Sequence, residues 1–225
     1  MKTIISILSI SVAVLFFSTA GFSQKKDIKG VKSIELDLAC QLVLVQGSSP
    51  NFEIVGDKDA IDDIETRISN GKLIIKSDRK YQHKEDVVVK IEVDDLDYLE
   101  LSGVVDMKTV RQLVLDDFEM SVSGVGNVDM GLDVKNFKLE CSGVANVNLN
   151  GKATDIEMDI SGVGKVDAVD LVAKNAEVSN SGVGRVTVNA TDNLDADVSG
   201  LGTINYEGTP MLHANVSGLG KISRY

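Results

Sequence analysis

The chain has no tryptophan and only two histidines among its 225 residues. Its four tyrosines, at positions 81, 98, 206 and 225, are scattered along the sequence. Carbohydrate-binding faces usually stack sugars on aromatic rings, so this composition does not indicate a dense sugar-binding platform. His83 and His213 stand alone, so we predict two surface residues and no histidine-ligated metal.

Cysteine is equally scarce, since only Cys40 and Cys141 are present. Both lie in stretches where apolar and polar residues alternate, and there a thiol serves as a small core residue. A disulfide between them is the alternative if the protein works in an oxidising compartment.

The residue groupings typical of an active site are also missing. The pairs Asp62-Asp63, Asp94-Asp95 and Asp116-Asp117 lack the glycine-rich spacing of calcium-binding repeats, so we interpret them as solvated turn residues. Other acidic residues are spread along the chain rather than concentrated as a glycan-cleaving pair. We therefore predict no catalytic residues, no metal site and no cofactor, and a protein that is not an enzyme.

The N-terminus has the pattern of a secretory signal peptide over residues 1–23. Lys2 precedes an uncharged, mostly apolar run from Ile4 to Phe17, and the small residues Gly21 and Ser23 fit a cleavage site after residue 23. A run of about 14 residues is shorter than the roughly 20 that span a bilayer, which disfavours an uncleaved anchor. No cysteine follows closely enough for a lipid anchor. We expect an exported protein that is periplasmic, at the cell surface or secreted.

The charge balance is strongly acidic, with a formal net charge of −11. Lys2 is the only charged side chain in residues 1–23, so removing this segment changes −11 to −12. Such a charge disfavours nucleic acid and anionic membrane surfaces as partners.

The strongest feature of the sequence is an internal repeat of a serine, a glycine and an aliphatic residue. The spacings between successive serines are 21, 19, 19, 20, 18 and 18 residues. A fixed period of this kind is typical of a solenoid. The seven units begin at Ser102, Ser123, Ser142, Ser161, Ser181, Ser199 and Ser217.

Alignment on the serine predicts which positions face a shared interior. Four columns are apolar in almost every copy: one and three residues before the serine, and two and five residues after it. Near Ser142 these are Cys141, Leu139, Val144 and Val147. Asn180 is the polar exception in the first column, and it needs hydrogen-bond partners inside or must turn outward. Alternation of this kind indicates strands with one buried face.

About 19 residues per copy are too few for a helical crossover. Equivalent residues of successive copies must nevertheless stack on one another. A parallel β-helix of seven coils satisfies both demands and would be on the order of 35 Å long. An antiparallel meander of hairpins is the alternative. We predict glycine at each corner because a Cβ would clash there or φ would turn positive.

Residues 24–98 lack the repeat unit but still predict strands. We interpret this part as a β cap or as degenerate first coils, continuous with the solenoid of residues 99–225. Asn70-Gly71 predicts a hairpin turn, and Asp57–Ile64 predicts one short helical turn. At the other end, we expect Tyr206, Arg224 and Tyr225 to close the core.

Two polar columns would run along the outside of such a solenoid. They suit either an extended partner or a merely solubilising surface. The first contains Glu119, Lys138, Glu157, Glu177, Asp195 and His213, and the second contains Asn127, Asn146, Lys165, Arg185, Thr203 and Lys221.

The sequence also resembles a known bacterial family. The resemblance lies in the closing segment VSGLGTINYEGTPMLHANVSGLGKISRY, in the SGVG units, and in the early segment LVLVQGSSPNFEIVGDKDAIDDIETRISNGKLIIKS. Gly202-Thr203-Ile204-Asn205 carries it most directly. These segments resemble the family called the putative auto-transporter adhesin head GIN domain. The resemblance implies an exported, right-handed parallel β-helix.

Three functional hypotheses follow in order. The first is a non-enzymatic, adhesin-like binding or structural module of the bacterial cell envelope, with an envelope protein or glycan as partner, or a homo-oligomer formed through the solenoid ends. The second is an envelope sensory or regulatory domain that recognises a small molecule or a partner protein. A polysaccharide-active enzyme comes third.

Overall fold

The computed structural model describes residues 22–77 and 87–225. The predicted signal peptide lies almost entirely outside the described residues, as do Tyr81 and His83. The described residues form strands and one short helix, with these bounds: β1 Phe22–Asp27, β2 Ser33–Asp37, β3 Ala39–Gln46, β4 Asn51–Gly56, α1 Lys58–Asp62, β5 Ile64–Ser69, β6 Lys72–Ser77, β7 Val88–Val93, β8 Tyr98–Leu101, β9 Val104–Thr109, β10 Leu113–Val122, β11 Val125–Cys141, β12 Val144–Ile160, β13 Val163–Asn180, β14 Val183–Val198, β15 Thr203–Glu207, β16 Met211–Val216 and β17 Lys221–Arg224.

The repeat region is a parallel β-solenoid. Leu139 of β11 pairs with Met120 of β10 on one side and with Met158 of β12 on the other. Beyond the corner, Val147 of β12 pairs with Val128 of β11. Residues at the same place in successive repeats therefore stack directly. This register confirms the predicted β-helix, and the antiparallel meander is wrong for the repeats.

Glycine is required at the corners by the close approach of neighbouring coils. A Cβ placed on Gly143 would lie against the carbonyl oxygen of Gly124 in the preceding coil. That oxygen also accepts the N–H of Val144 at 3.0 Å. The same stacking recurs at Gly162, Gly182, Gly200 and Gly218. The seven-fold repeat of glycine thus follows from contact between backbones.

Three of the four predicted apolar columns form the core. Ile160, Met158 and Val166 represent them in one coil, and none is more than 8% exposed. The inner columns also hold Phe118 and Phe137, whose rings stack with their centroids 5.7 Å apart. Burial of these columns in every coil but the last provides the main stabilising term for the fold.

The fourth predicted column, two residues after the serine, is not in the core, so that prediction is wrong. Val144 and Val163 in this column are 53% and 51% exposed. Side chains alternate along a strand, and the buried position five residues after the serine requires position three to face inward as well. Position three holds Ala145 at 3% exposure, so position two must face the solvent.

The N-terminal part caps the stack in an order that differs from the chain order. β2 lies between β6 and β8, and β3 lies between β7 and β9. Antiparallel strands then follow outward, with β5 on β6, β4 on β7 and β1 on β4. Asn70 and Gly71 have φ values of 52° and 75° in the predicted turn between β5 and β6. The predicted helical turn is α1, and the boundary at residues 98–99 stays a prediction.

The C-terminal end is more open than expected. β16 pairs with β14 and β17 pairs with β15, and no other described strand pairs with either. All six residues of β16 are exposed. Tyr206 packs against the core, but Arg224 is exposed and Tyr225 is 79% exposed. The predicted closure by Tyr206, Arg224 and Tyr225 is therefore incomplete, because only Tyr206 contributes to it.

Candidate functional site

A groove of about 610 Å³ runs along the outside of the coils formed by β10 to β14. It contains seven carboxylates and one ammonium group, which leaves a formal charge of −6. We call it the acidic groove. Its lining residues are Asp97, Asp117, Phe118, Glu119, Asn136, Phe137, Lys138, Asp155, Ile156, Glu157, Asn175, Ala176, Glu177, Asn193 and Asp195.

One wall of the acidic groove is a column of carboxylates and amides. Asn136 donates to Asp117 at 2.6 Å, and Asn175 donates to Asp155 at 2.7 Å. Asn193 continues the column by donating to Asn175 at 2.7 Å. Each of the first two amides donates to one carboxylate, and Asn136 also separates the charges of Asp117 and Asp155, so the stack tolerates acidic residues at this position.

The other wall is the first polar column predicted from the sequence. Strand pairing places Glu119, Lys138, Glu157, Glu177 and Asp195 in register. The Lys138 ammonium lies 2.9 Å from Glu140 and 3.6 Å from Glu157. The hydrogen bond to Glu140 is the main reason that the pKa of Lys138 is raised. The single positive charge of the groove is therefore already partnered.

The floor of the acidic groove offers no aromatic ring to a ligand. Phe118 and Phe137 line it, but each is only 2% exposed because its ring lies in the core. Stacking of a sugar on these rings is therefore blocked, while the polar walls remain accessible.

The second predicted polar column is also in register. Asn127 donates to Asp106 at 2.8 Å, and Asn146 donates to Asn127 at 3.1 Å. The column then becomes basic, because Lys165 lies in register with Arg185 of the next coil. The two polar columns thus differ in the sign of their charge.

An exposed aliphatic column lies between them at the corner. We call this column the corner ridge. It begins after Ser123, and its members are between 50% and 88% exposed: Val125, Val144, Val163, Val183, Leu201 and Leu219.

The remaining candidates for chemistry are the acidic pairs and His213. Asp95 accepts a 2.7 Å hydrogen bond from Lys32, which is the main cause of the lowered pKa of its carboxyl group. Asp116 lies 2.7 Å from Lys135. Within residues 22–77 and 87–225, no group of three or more His, Cys, Asp or Glu side chains could hold a metal. His213 is exposed on β16.

Both cysteines are free thiols in the core rather than a disulfide. Burial is the main cause of the raised pKa of the Cys141 thiol. A raised pKa keeps a thiol protonated and unreactive, in agreement with the prediction of a small core residue.

Sequence reasoning found one wall of the acidic groove and missed the other. The missed wall lies six residues before each corner serine, at Asp117, Asn136, Asp155, Asn175 and Asn193. The succession of Asp and Asn at that position was the available signal. Whether the two columns enclose a concave surface depends on how each coil bends, which repeat spacing does not reveal.

Among the described residues, no helix has the length and apolar character needed to cross a membrane.

Comparisons with known proteins agree with this architecture. No curated protein matches the chain significantly. A solved structure of a "putative adhesin" from Bacteroides fragilis is 26% identical, with a TM-score of 0.87, covering 91% of this chain and 97% of that one. A "putative adhesin" from Parabacteroides distasonis is 20% identical, with a TM-score of 0.68 and coverage of 91% and 97%.

A further solved structure, called a "putative lipid binding protein" and also from Parabacteroides distasonis, is 19% identical with a TM-score of 0.64. It covers 90% of this chain and 96% of its own. At this level of identity the last two structures establish the fold alone. The family model described as "Putative auto-transporter adhesin, head GIN domain" matches residues 31–210, and the chain therefore belongs to this family.

Proposed function

We propose that the protein is an exported, non-enzymatic binding module of the bacterial cell envelope that holds an extended partner along the acidic groove. The observation that carries this proposal is the in-register pair of polar walls running across the coils from β10 to β14. Export is supported by the signal-peptide pattern of residues 1–23. A binding role agrees with the adhesin description of the family.

The charge of the groove favours a cationic partner. With a formal charge of −6 and its one ammonium group already partnered, the groove would attract lysine and arginine side chains. The walls cross five coils that lie about 4.8 Å apart, so the groove is roughly 19 Å long, which suits an extended segment better than a compact ligand. The buried aromatic rings favour a basic protein segment over a glycan.

A labelled peptide of alternating lysine and threonine tests this proposal. We expect binding that weakens as salt rises, because the contact is electrostatic. The variant Asp117→Asn with Glu157→Gln and Glu177→Gln should bind about tenfold more weakly, a change of about 1.4 kcal/mol. Fluorescence anisotropy on the exported protein measures both effects.

A matched control removes three carboxylates elsewhere. Asp129, Asp133 and Asp170 are exposed and lie outside the groove, so their replacement by asparagine removes the same three negative charges from the protein. Equal losses in the two triple variants would mean non-specific attraction and would overturn the proposal. Tight binding of a neutral glycan, unaffected by the groove variant, would also contradict it.

The open C-terminal coil favours a second contact, in which copies of the chain associate end to end. Met211 and Tyr225 are 78% and 79% exposed, and both strands of this coil present a free edge. End-to-end association predicts a particle about twice as long as one copy. X-ray scattering should show that length, and Met211→Lys with Tyr225→Ser should abolish it. A particle of single-copy length at every concentration would contradict this mode.

A further inference from the structure

The corner ridge is an exposed apolar feature on a surface that is otherwise mostly polar and acidic. Its side chains are half exposed or more, yet every coil from β11 onward keeps an aliphatic residue there. Val144 pairs in register with Val125 and Val163, so the side chains form a continuous line. Five steps of about 4.8 Å make the line roughly 24 Å long. A contiguous apolar line of this length on the surface indicates a contact site.

The ridge is flanked by polar columns of opposite charge. Two residues before the corner serines stand Glu140, Asp159 and Asp197, which we call the acidic flank. Four residues after the serines stand the basic side chains Lys165, Arg185 and Lys221, which we call the basic flank. These columns lie on opposite sides of the ridge because the chain turns at the corner between them. The three basic side chains are exposed, and Lys165 also forms an ion pair with Asp167 of its own strand.

We infer that a second copy of this chain docks ridge to ridge, with a two-fold axis parallel to the solenoid axis. Only two kinds of two-fold axis bring the ridges face to face. The parallel axis places the acidic flank of each copy against the basic flank of the other. The perpendicular axis places acidic flank against acidic flank, which is repulsive. Charge complementarity therefore selects the parallel arrangement.

The parallel axis also sets which residues meet. Rotation about an axis parallel to the solenoid axis leaves each residue at the same position along that axis. Val144 therefore faces Val144 of the second copy, and Val163 faces Val163. The corner at Ser161 is the one with both a flank acid and a flank base, so Asp159 faces Lys165 of the second copy and the reverse contact is made by symmetry. The interface uses no residue of the acidic groove, and this inference does not rest on the proposed function.

Light scattering across a range of protein concentrations tests the dimer directly. We expect the mass to rise from one copy to two with increasing concentration. Val144→Asp with Val163→Asp should raise the dissociation constant at least tenfold. Val144→Thr with Val163→Thr keeps the shape of each side chain and should weaken the dimer without endangering the fold. Val110→Asp with Val114→Asp is the control, since these residues are 53% and 63% exposed away from the ridge.

A charge exchange tests the direction of the axis. Asp159→Lys alone and Lys165→Asp alone should each weaken the dimer, because each places like charges together. The double variant should restore binding, because the pair is re-formed with its charges reversed. A single-copy mass at all concentrations would overturn the inference, as would a dimer unaffected by the ridge variants. Tighter association of Asp159→Lys would overturn the parallel axis.

X-ray scattering separates this dimer from end-to-end association. A ridge dimer is wider than one copy but has the same length, whereas an end-to-end dimer is about twice as long as one copy. A natural protein that forms only the long dimer, and never the wider one, would assign the contact to the open coil and contradict the ridge.

Discussion

Replacing Gly162 with alanine is expected to destabilise the protein by about 3 kcal/mol and to lower its melting temperature by about 10 °C. The new Cβ would lie against the carbonyl oxygen of Gly143, closer than non-bonded atoms can approach. That oxygen accepts the N–H of Val163 at 3.0 Å, so moving it away would break a hydrogen bond between coils. Because the obstacle is backbone, no side-chain rotation can relieve the clash.

Urea denaturation of the Gly162→Ala variant measures this loss. Ser161→Ala is the matched control, since Ser161 is exposed at the same corner and its replacement should change the free energy of unfolding by less than about 0.5 kcal/mol. Equal stability of the two variants would mean that the coils can separate at the corner without cost, and our account of the repeated glycine would be wrong.

Replacing Asn180 with valine is expected to stabilise the protein by about 1–2 kcal/mol. Asn180 is 1% exposed in a column whose neighbours in register are Ile160 and Val198. Its side-chain oxygen accepts the N–H of Gly182 at 3.2 Å, but its Nδ2 has no hydrogen-bond partner among the described residues. Valine has a similar volume and removes the unsatisfied donor.

The hydrogen bond lost in the Asn180→Val variant leaves no backbone group unpaired, because Gly182 also donates to Ile160 at 3.2 Å. Thermal unfolding followed by circular dichroism measures the gain. Asn180→Ala separates the two contributions, since it removes the polar group but creates a cavity and should be less stable than the valine variant. A valine variant less stable than the natural protein would show that the amide has a partner that stabilises the fold.

The outward direction of the corner ridge shows where pattern reasoning was limited. Both Val144 and Val147 are apolar in every equivalent coil, and composition alone places both in the core. Side chains alternate between the two faces of a strand, so positions two and five cannot both face the core. The buried Ala145 at position three shows that position five faces inward and position two faces outward. Position three faces inward and is small in most coils because it lies close to the backbone of the neighbouring coil: at the equivalent Gly126, a Cβ would lie against the Val105 carbonyl oxygen. Consistent use of alternation would have predicted the exposed column.

The order of the cap strands could not be predicted from spacing. β2 and β3 precede β6 and β7 in the chain, yet they lie inside them in the stack. No repeat unit marks these segments, so no alignment indicates which strand pairs with which. Their order results from long-range pairing and from the antiparallel strands β4 and β5, which cover the outer layer.

The sequence alone determined the period, the corner glycines, three of the core columns and both polar columns, because each depends only on a regular distance from the serine. The tertiary structure decided the open last coil, the order of the cap and the concave shape of the acidic groove. These features depend on how each coil bends and on which coil lies beside it. Such contacts join residues that no fixed spacing relates, and only the folded chain brings them together.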